Sequence, residues 1–317
     1  MAAPESWRSL MFVPAHVSRF IDAAPRAKAD AYVLDLEDSV PDAQKPAARE
    51  NLRTAAAKLA ESGADVLVRI NAAHDLARED IKAAAASSVR AIVAPKIGAR
   101  DQLEGLDTVM SALEGAAGLL AGRVGVIAQI EDVHALAALD EICRAPRLIG
   151  LSLGSEDFSH SAGMRPTLQT LYHPNQQIVF ACRRHGLAPY GFPASIADYS
   201  DLDALRRAAD LAADMGFGGA FCIHPRQVAV LNAAFAPTAP EFEEARRIVR
   251  AFHQAKRDGR GAVQLDGKMI DPPVVARAQA LMLRGAVHLH GLNLDEVDLD
   301  RLCWIDADDL QKPPPKS

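Results

Sequence analysis

The sequence predicts a (β/α)8 barrel followed by a C-terminal helical extension. Three observations carry that prediction. Eight short apolar runs recur at spacings of roughly 22 to 40 residues, Ala-rich segments with helical periodicity separate them, and several runs stop abruptly at charged residues. Continuous apolar runs suit parallel strands buried on both faces, and strand and helix alternating eight times is the pattern of a closed barrel. A doubly wound open sheet is the alternative, but no GxGxxG follows the first run.

The runs begin at Ser9 (SLMFVP), Ala31 (AYVLDLED), Ala64 (ADVLVRIN), Arg90 (RAIVAPK), Gly125 (GVIAQIE), Leu148 (LIGLSLGSED), Leu187 (LAPYGFP) and Gly219 (GAFCIHP). Between them, KPAARENLRTAAAKLAES and LDALRRAADLAADMGF are rich in good helix formers. The first run leads into a helix with Ser18 as its expected N-cap, and Arg19 could reach a phosphate there. The second ends in Asp35, Glu37 and Asp38. Alternation puts Asp35 and Glu37 on one face, toward the lumen, where they would meet metal waters or pair with Arg69 or Lys96. Arg69 closes the third run, so its guanidinium should be partly buried and in need of an anion. Lys96 closes the fourth, either as a Schiff-base nucleophile or, more in keeping with so many nearby acids, as an ion-pair partner.

The fifth and sixth runs end in Glu131 and Asp157. Parallel strands end together at one edge, where barrels bind their ligands, so these carboxylates should face one small volume. Two carboxylates there repel unless a proton or a cation intervenes. Mg²⁺, which prefers oxygen and takes few protein carboxylates, is the expected metal. Gly154 and Ser155 would offer N–H groups to an anion, and SHSAGMRPT would cover the site. His224, without HxxxH or HExxH spacing, reads as structural.

The barrel is expected to occupy residues 1–235. APTAPEFEE then opens an extension over 236–317, with a helix, a glycine-bearing hairpin-like segment, Asp271 before Pro272-Pro273, a final helix and a disordered tail at 312–317. The extension needs something to pack on, and a neighbouring subunit is expected. A formal charge of −6 with no basic stripe argues against nucleic acid. No apolar window reaches membrane-spanning length, and no export signal opens the chain, which points to the cytoplasm. The four cysteines, Cys143, Cys182, Cys222 and Cys303, lack CxxC spacing and read as reduced, packed thiols.

Taken in order, FVPAH, ADAYVLDLEDSV, VRIN, PK, QIED, LGSEDF, GFGGAFCIHPRQV, LNAAF and GKMIDPPVVARA resemble the citrate lyase β-subunit-like branch of the HpcH/HpaI aldolases, to which malyl-CoA and citramalyl-CoA lyases belong. The resemblance implies a Mg²⁺-containing barrel, trimeric or hexameric, that makes or breaks a C–C bond between an acyl thioester and a 2-oxo acid. It implies Glu131 and Asp157 as metal ligands, Arg69 on the reacting oxygen, and Glu37 on a metal-bound water. Asp271 becomes the acid/base lent by an adjacent subunit. The family's PG(S/N)RP-like turn after the first strand is here Pro14-Ala15-His16-Val17-Ser18-Arg19. Arg19, Arg26 and Lys28 are the nearby candidates for CoA phosphates. A subunit acting on a carrier-protein thioester, and an aldolase using Lys96, are the alternative functions.

Overall fold

The computed structural model describes residues 7–118, 120–292 and 297–304. The expected disordered tail at 312–317 lies outside the described residues. The chain divides into two compact units, one running to Phe235 and the other beginning at Ala236.

The first unit is a (β/α)8 barrel. All eight apolar runs supply a strand: β1 Ser9–Pro14, β2 Ala31–Asp35, β3 Asp65–Arg69, β4 Ala91–Ala94, β5 Gly125–Ile130, β6 Leu148–Leu153, β7 Ala188–Tyr190 and β8 Ala220–Cys222. Every neighbouring pair is parallel, in the order β7-β6-β5-β4-β3-β2-β1-β8. A parallel bridge between Tyr190 and Gly219 joins the two ends of that order, with Gly191 N–H donating to Gly219 O at 2.9 Å and Gly218 N–H to Pro189 O at 3.1 Å. Between and after the strands come α1 Ser18–Ala23, α2 Lys45–Ala60, α3 His74–Ala85, α4 Arg100–Ala116, α5 Val133–Ala137, α6 Leu139–Ile142, α7 Ser155–Ser161, α8 Leu168–His185, α9 Leu202–Met215 and α10 Pro225–Phe235.

Period-two alternation sorts the strand side chains. One parity (Met11, Val13, Leu34, Val66, Val68, Ile92, Val126, Ala128) packs outward among the helices. The other (Leu10, Val33, Leu67, Val93, Ile127, Tyr190, Phe221) forms a separate cluster that fills the lumen. Continued by two residues toward the strand C-termini, the lumen parity reaches Asp35, Arg69 and Gln129. The same arithmetic that buries the apolar layers therefore delivers a polar layer at the mouth.

Helix ends follow local chemistry. Asp201 caps α9 by accepting from the N–H groups of Asp203 and Ala204, and Gly216 ends that helix at φ +106. The expected cap at Ser18 is displaced by one residue. Val17 holds the N-cap position, Ser18 is already helical, and no side chain caps the end.

In the second unit, α11 Ala239–Arg257 starts with a Thr238/Glu241 capping box. An antiparallel hairpin follows, β9 Val263–Leu265 with β10 Lys268–Ile270. Asp266 and Gly267 turn it with positive φ at both positions, the conformation that Asp-Gly favours. The helix α12 Pro272–His290 and the short α13 Leu299–Trp304 complete it. Phe242, Val249, Val275 and Met282 belong to its own core. No helix among the described residues is long and apolar enough to cross a membrane.

The barrel's closure rests on a close approach. A Cβ built at Gly219 would lie 1.8 Å from the carbonyl oxygen of Trp7. Gly219→Ala is expected to destabilise the protein by about 1–3 kcal/mol, the usual cost of overpacking. Urea unfolding followed by circular dichroism measures it, and an unchanged midpoint would contradict this account of closure.

Candidate active site

The mouth is organised by Arg69, at the end of β3. Its Nε donates to Asp35 Oδ1 and its Nη2 to Asp35 Oδ2, both at 2.7 Å. The remaining acceptor capacity of Asp35 is used by Ser39 Oγ at 2.5 Å and by the N–H groups of Glu37 and Ser39. Burial alone would push the Asp35 carboxyl up, but the hydrogen bonds and charge of Arg69 outweigh it and hold it below the usual range. Arg69 lies with Nη1 3.2 Å from Glu37 Oε2, and its guanidinium covers the Phe12 ring at 4.6 Å. Against the opposing effect of burial, these acids raise its pKa. It stays a cation throughout any working pH.

Glu37 is buried, and its Oε1 accepts from Lys96 Nζ at 2.7 Å. Burial raises its pKa despite both cationic neighbours. Lys96 also stands 3.6 Å from Asp38. Desolvation works to lower the Lys96 pKa, but Glu37 dominates and lifts it to about 12. A Schiff-base nucleophile needs a neutral amine, so this environment opposes that role.

Glu131, just past β5, is 7% exposed, and its Oε2 is buried without a hydrogen-bond partner. Burial first, then the charges of Glu37 and Asp157, push its pKa up to about 8. Glu131 and Asp157 line one cavity of about 430 Å³ together with Asp35 and Arg69. They do not both belong to strand ends as expected. Strand β6 stops at Leu153, and Asp157 sits in the first turn of α7.

Gly154, between them, departs from its expected role. Its N–H is given to Ile130 O at 2.9 Å, part of the β5–β6 edge, and is not free for an anion. What it supplies is space, because a Cβ there would meet Glu131 Cγ at 2.6 Å. Ser155 lines the cavity, and its Oγ accepts from Ile196 N–H at 3.4 Å. The segment SHSAGMRPT does not cover the site: its first residues continue α7, and none of it lines the cavity. That wall comes instead from Phe192, Ala194 and Ile196, after β7.

A buried network behind the mouth was not anticipated. Lys45 Nζ donates to Leu36 O, Glu37 O and Asn71 Oδ1 at 3.1, 2.9 and 2.7 Å. Asn71 donates to Asp80 Oδ2, and Arg49 closes the set on Asp80 Oδ1. It ties the ends of β2 and β3 to α2 and α3. A lysine in the first turn of a predicted helix gives no sign in sequence of facing inward.

The other candidates lie elsewhere. Arg19, Arg26 and Lys28 are exposed on the β1–β2 connection and outside the cavity wall. His224 stacks on Tyr199 and accepts from Arg226 N–H. Asp271, in the second unit, caps α12 by accepting from Val274 N–H at 3.3 Å. The four cysteines are buried, and burial lifts the Cys143 thiol to about 11.

Fold and cavity together define a (β/α)8-barrel enzyme whose chemistry sits where the strands end. Among the described residues no three His, Cys, Asp or Glu side chains form a ready metal cage. Two carboxylates on one cavity, one of them partnerless, are nevertheless what a hard divalent cation needs when substrate and water complete its shell. The chain belongs to the HpcH/HpaI aldolase/citrate lyase family, which it matches over residues 8–225. It is 31% identical to the citrate lyase subunit beta of Leuconostoc mesenteroides subsp. cremoris, over 89% of this chain and 94% of that one. It is equally 31% identical to the L-malyl-CoA/beta-methylmalyl-CoA lyase of Rhodobacter capsulatus, over 87% and 93%. Among solved structures, the CitE protein of Mycobacterium tuberculosis in complex with magnesium, acetoacetate and coenzyme A superimposes with a TM-score of 0.69 at 30% identity, covering 90% of this chain and 98% of that one. The protein is a carbon–carbon lyase.

Two outcomes follow from the geometry. Borohydride added with pyruvate should leave the intact mass unchanged; an adduct on Lys96 would show the amine to be available. Gly154→Ala should displace Glu131 and lower turnover at least tenfold, and a crystal structure of the variant with Glu131 unmoved would contradict the steric account.

Proposed function

We propose that the barrel binds Mg²⁺ through Glu131 and Asp157 and cleaves a 3-hydroxyacyl-CoA, of the malyl-CoA or citramalyl-CoA type, to an acyl-CoA and a 2-oxo acid. The reaction is a reversible Claisen-type step. The observation that carries this reading is Glu131: a carboxylate oxygen buried without a partner, raised in pKa by burial and by neighbouring carboxylates, on the wall of the cavity that also holds Asp157. Bound there, Mg²⁺ would offset both charges and supply Lewis acidity to the oxygen that becomes the carbonyl.

The chain's own groups account for the rest. Arg69 lines the cavity as a permanent cation, and Asp35 fixes its orientation through two parallel hydrogen bonds. A cation held in place before the reaction is where a developing thioester enolate gains most. Glu37, braced by Lys96 and by Lys45 beneath its carbonyl, is proposed as the acid that would orient a water at that metal. Asp271 is proposed as the base that takes the hydroxyl proton, lent by the extension of an adjacent subunit in a trimer or hexamer. Arg19, Arg26 and Lys28 are proposed contacts for CoA phosphates, and the cytoplasm is the proposed location. A citrate lyase β-like subunit that needs a carrier-protein thioester is the competing reading, and cleavage of a free CoA thioester by the isolated protein separates the two.

EDTA should abolish cleavage and Mg²⁺ restore it. Glu131→Gln and Asp157→Asn should each lower kcat at least a hundredfold in a coupled assay of oxo-acid release; undiminished turnover in EDTA would overturn the proposal. Asp271→Asn should cost about 10²–10⁴-fold, the usual worth of a general base. If the base comes from a neighbour, mixing Asp271→Asn with Glu131→Gln subunits should recover part of the activity.

A further inference from the structure

Two buried oxygens on the cavity wall lack a partner, and an ion on Glu131 and Asp157 would account for only one of them. Glu131 Oε2 is the first, and Oε1 of Gln129, two residues earlier on β5, is the second. Gln129 is 6% exposed and lines the same cavity. It marks the step at which the lumen turns polar. Ile127, one lumen position deeper, belongs to the apolar layers, whereas Ser152, the partner of Gln129 in the β5–β6 register, is buried and also lines the cavity. The charged side chains nearby are matched: Arg69 gives two hydrogen bonds to Asp35 and lies 3.2 Å from Glu37, and Asp35 accepts a further bond from Ser39. A buried amide oxygen left unpaired is costly. The position calls for a donor that none of the described residues supplies.

We infer that Gln129 is a positioning residue for the divalent cation: its Oε1 accepts from a water in the cation's shell, while Glu131 meets the ion itself. The inference rests on the Mg²⁺ reading proposed above and extends it to a neutral residue outside the charged set. The two unpaired atoms are both acceptors. A substrate carboxylate, acceptor-only as well, satisfies neither. A hydrated cation satisfies both, because Mg²⁺ dehydrates reluctantly and usually keeps several waters, and a water polarised by a dication is a strong donor. Being neutral, Gln129 orients that water without adding to the repulsion that Glu37 and Asp157 already exert on Glu131. Outer partners of this kind are worth about 10–100-fold in metal affinity.

The test is Gln129→Met in the full-length protein, which keeps the length of the side chain and removes the amide. Mn²⁺, another oxygen-preferring dication, is the probe. Its free fraction is read by electron paramagnetic resonance without substrate, and Mg²⁺ binding is followed by competition. Gln129→Met should raise the Kd for Mn²⁺ at least tenfold. Gln129→Glu, which retains an oxygen at the same reach, should hold it within about threefold of the wild-type value or below it. An unmoved Kd in the Met variant overturns the inference, and so does a loss that the Glu variant fails to restore. Urea unfolding of the metal-free Met variant should show an unchanged or higher midpoint, because an unpaired buried acceptor has been removed. A lower midpoint with an unmoved Kd would mark an amide that only supports the barrel. Glu131→Gln keeps this inference apart from the metal reading. If Glu131→Gln weakens Mn²⁺ binding and Gln129→Met does not, the inference fails and the metal reading stands; if neither variant changes it, or the wild type binds no Mn²⁺, both fail.

Discussion

A guanidinium drawn into a barrel lumen is tolerable only if its acceptors are already in place, and the pairing of Arg69 with Asp35 meets that condition. Both oxygens of Asp35 are engaged by Arg69, and Ser39 and two backbone N–H groups complete its shell. This allows the lumen to change from the apolar packing of Val33 and Leu67 to full charges within one layer of side chains. From there the signs alternate outward: Asp35, Arg69, Glu37, Lys96 and Asp38. Glu131 falls outside this alternation at Oε2, which is buried without a hydrogen-bond partner.

Much of this is legible in the sequence because a parallel strand buried on both faces leaves a plain signature. The eight runs mark the eight strands, and the abrupt ends at Arg69, Lys96 and Glu131 mark the rim. The pairing of Arg69 and Lys96 with the β2 acids follows from charge and period-two arithmetic. What escapes the sequence depends on atoms far apart along it. Asp157 has the right neighbours but belongs to a helix, since an apolar run does not tell where strand hydrogen bonding stops. Gly154 looks like an anion-binding glycine, yet its N–H is consumed by Ile130 and its value is the room it leaves for Glu131. Lys45 belongs to a helix that reads as amphipathic and solvated. Its inward turn is set by carbonyls of β2 and by Asn71, whose position only the closed barrel defines.

The buried acid also explains why the site is costly to keep. A carboxylate 7% exposed, with one oxygen unsatisfied, opposes folding in the absence of a counter-charge. Closely packed surroundings hold it there: Gly154 against its Cγ, the β5 strand beneath it and the acids of β2 beside it. The Lys45–Asn71–Asp80 network does the same for Glu37, by anchoring the Leu36 and Glu37 carbonyls to Lys45 of α2 and tying Asn71 to Asp80 of α3. Rigid support of this kind keeps charged groups from relaxing toward one another or toward solvent, and preorganisation is the larger part of electrostatic catalysis.

The charged groups of the cavity and its apolar lining come from different parts of the chain. Asp35, Arg69 and Glu131 are placed by the lumen parity of β2, β3 and β5, and moving any of them means breaking a layer of the barrel. Phe192 and Ile196 lie on the connection after β7, and Ile223 lies at the end of β8, where a substitution disturbs no buried ion pair.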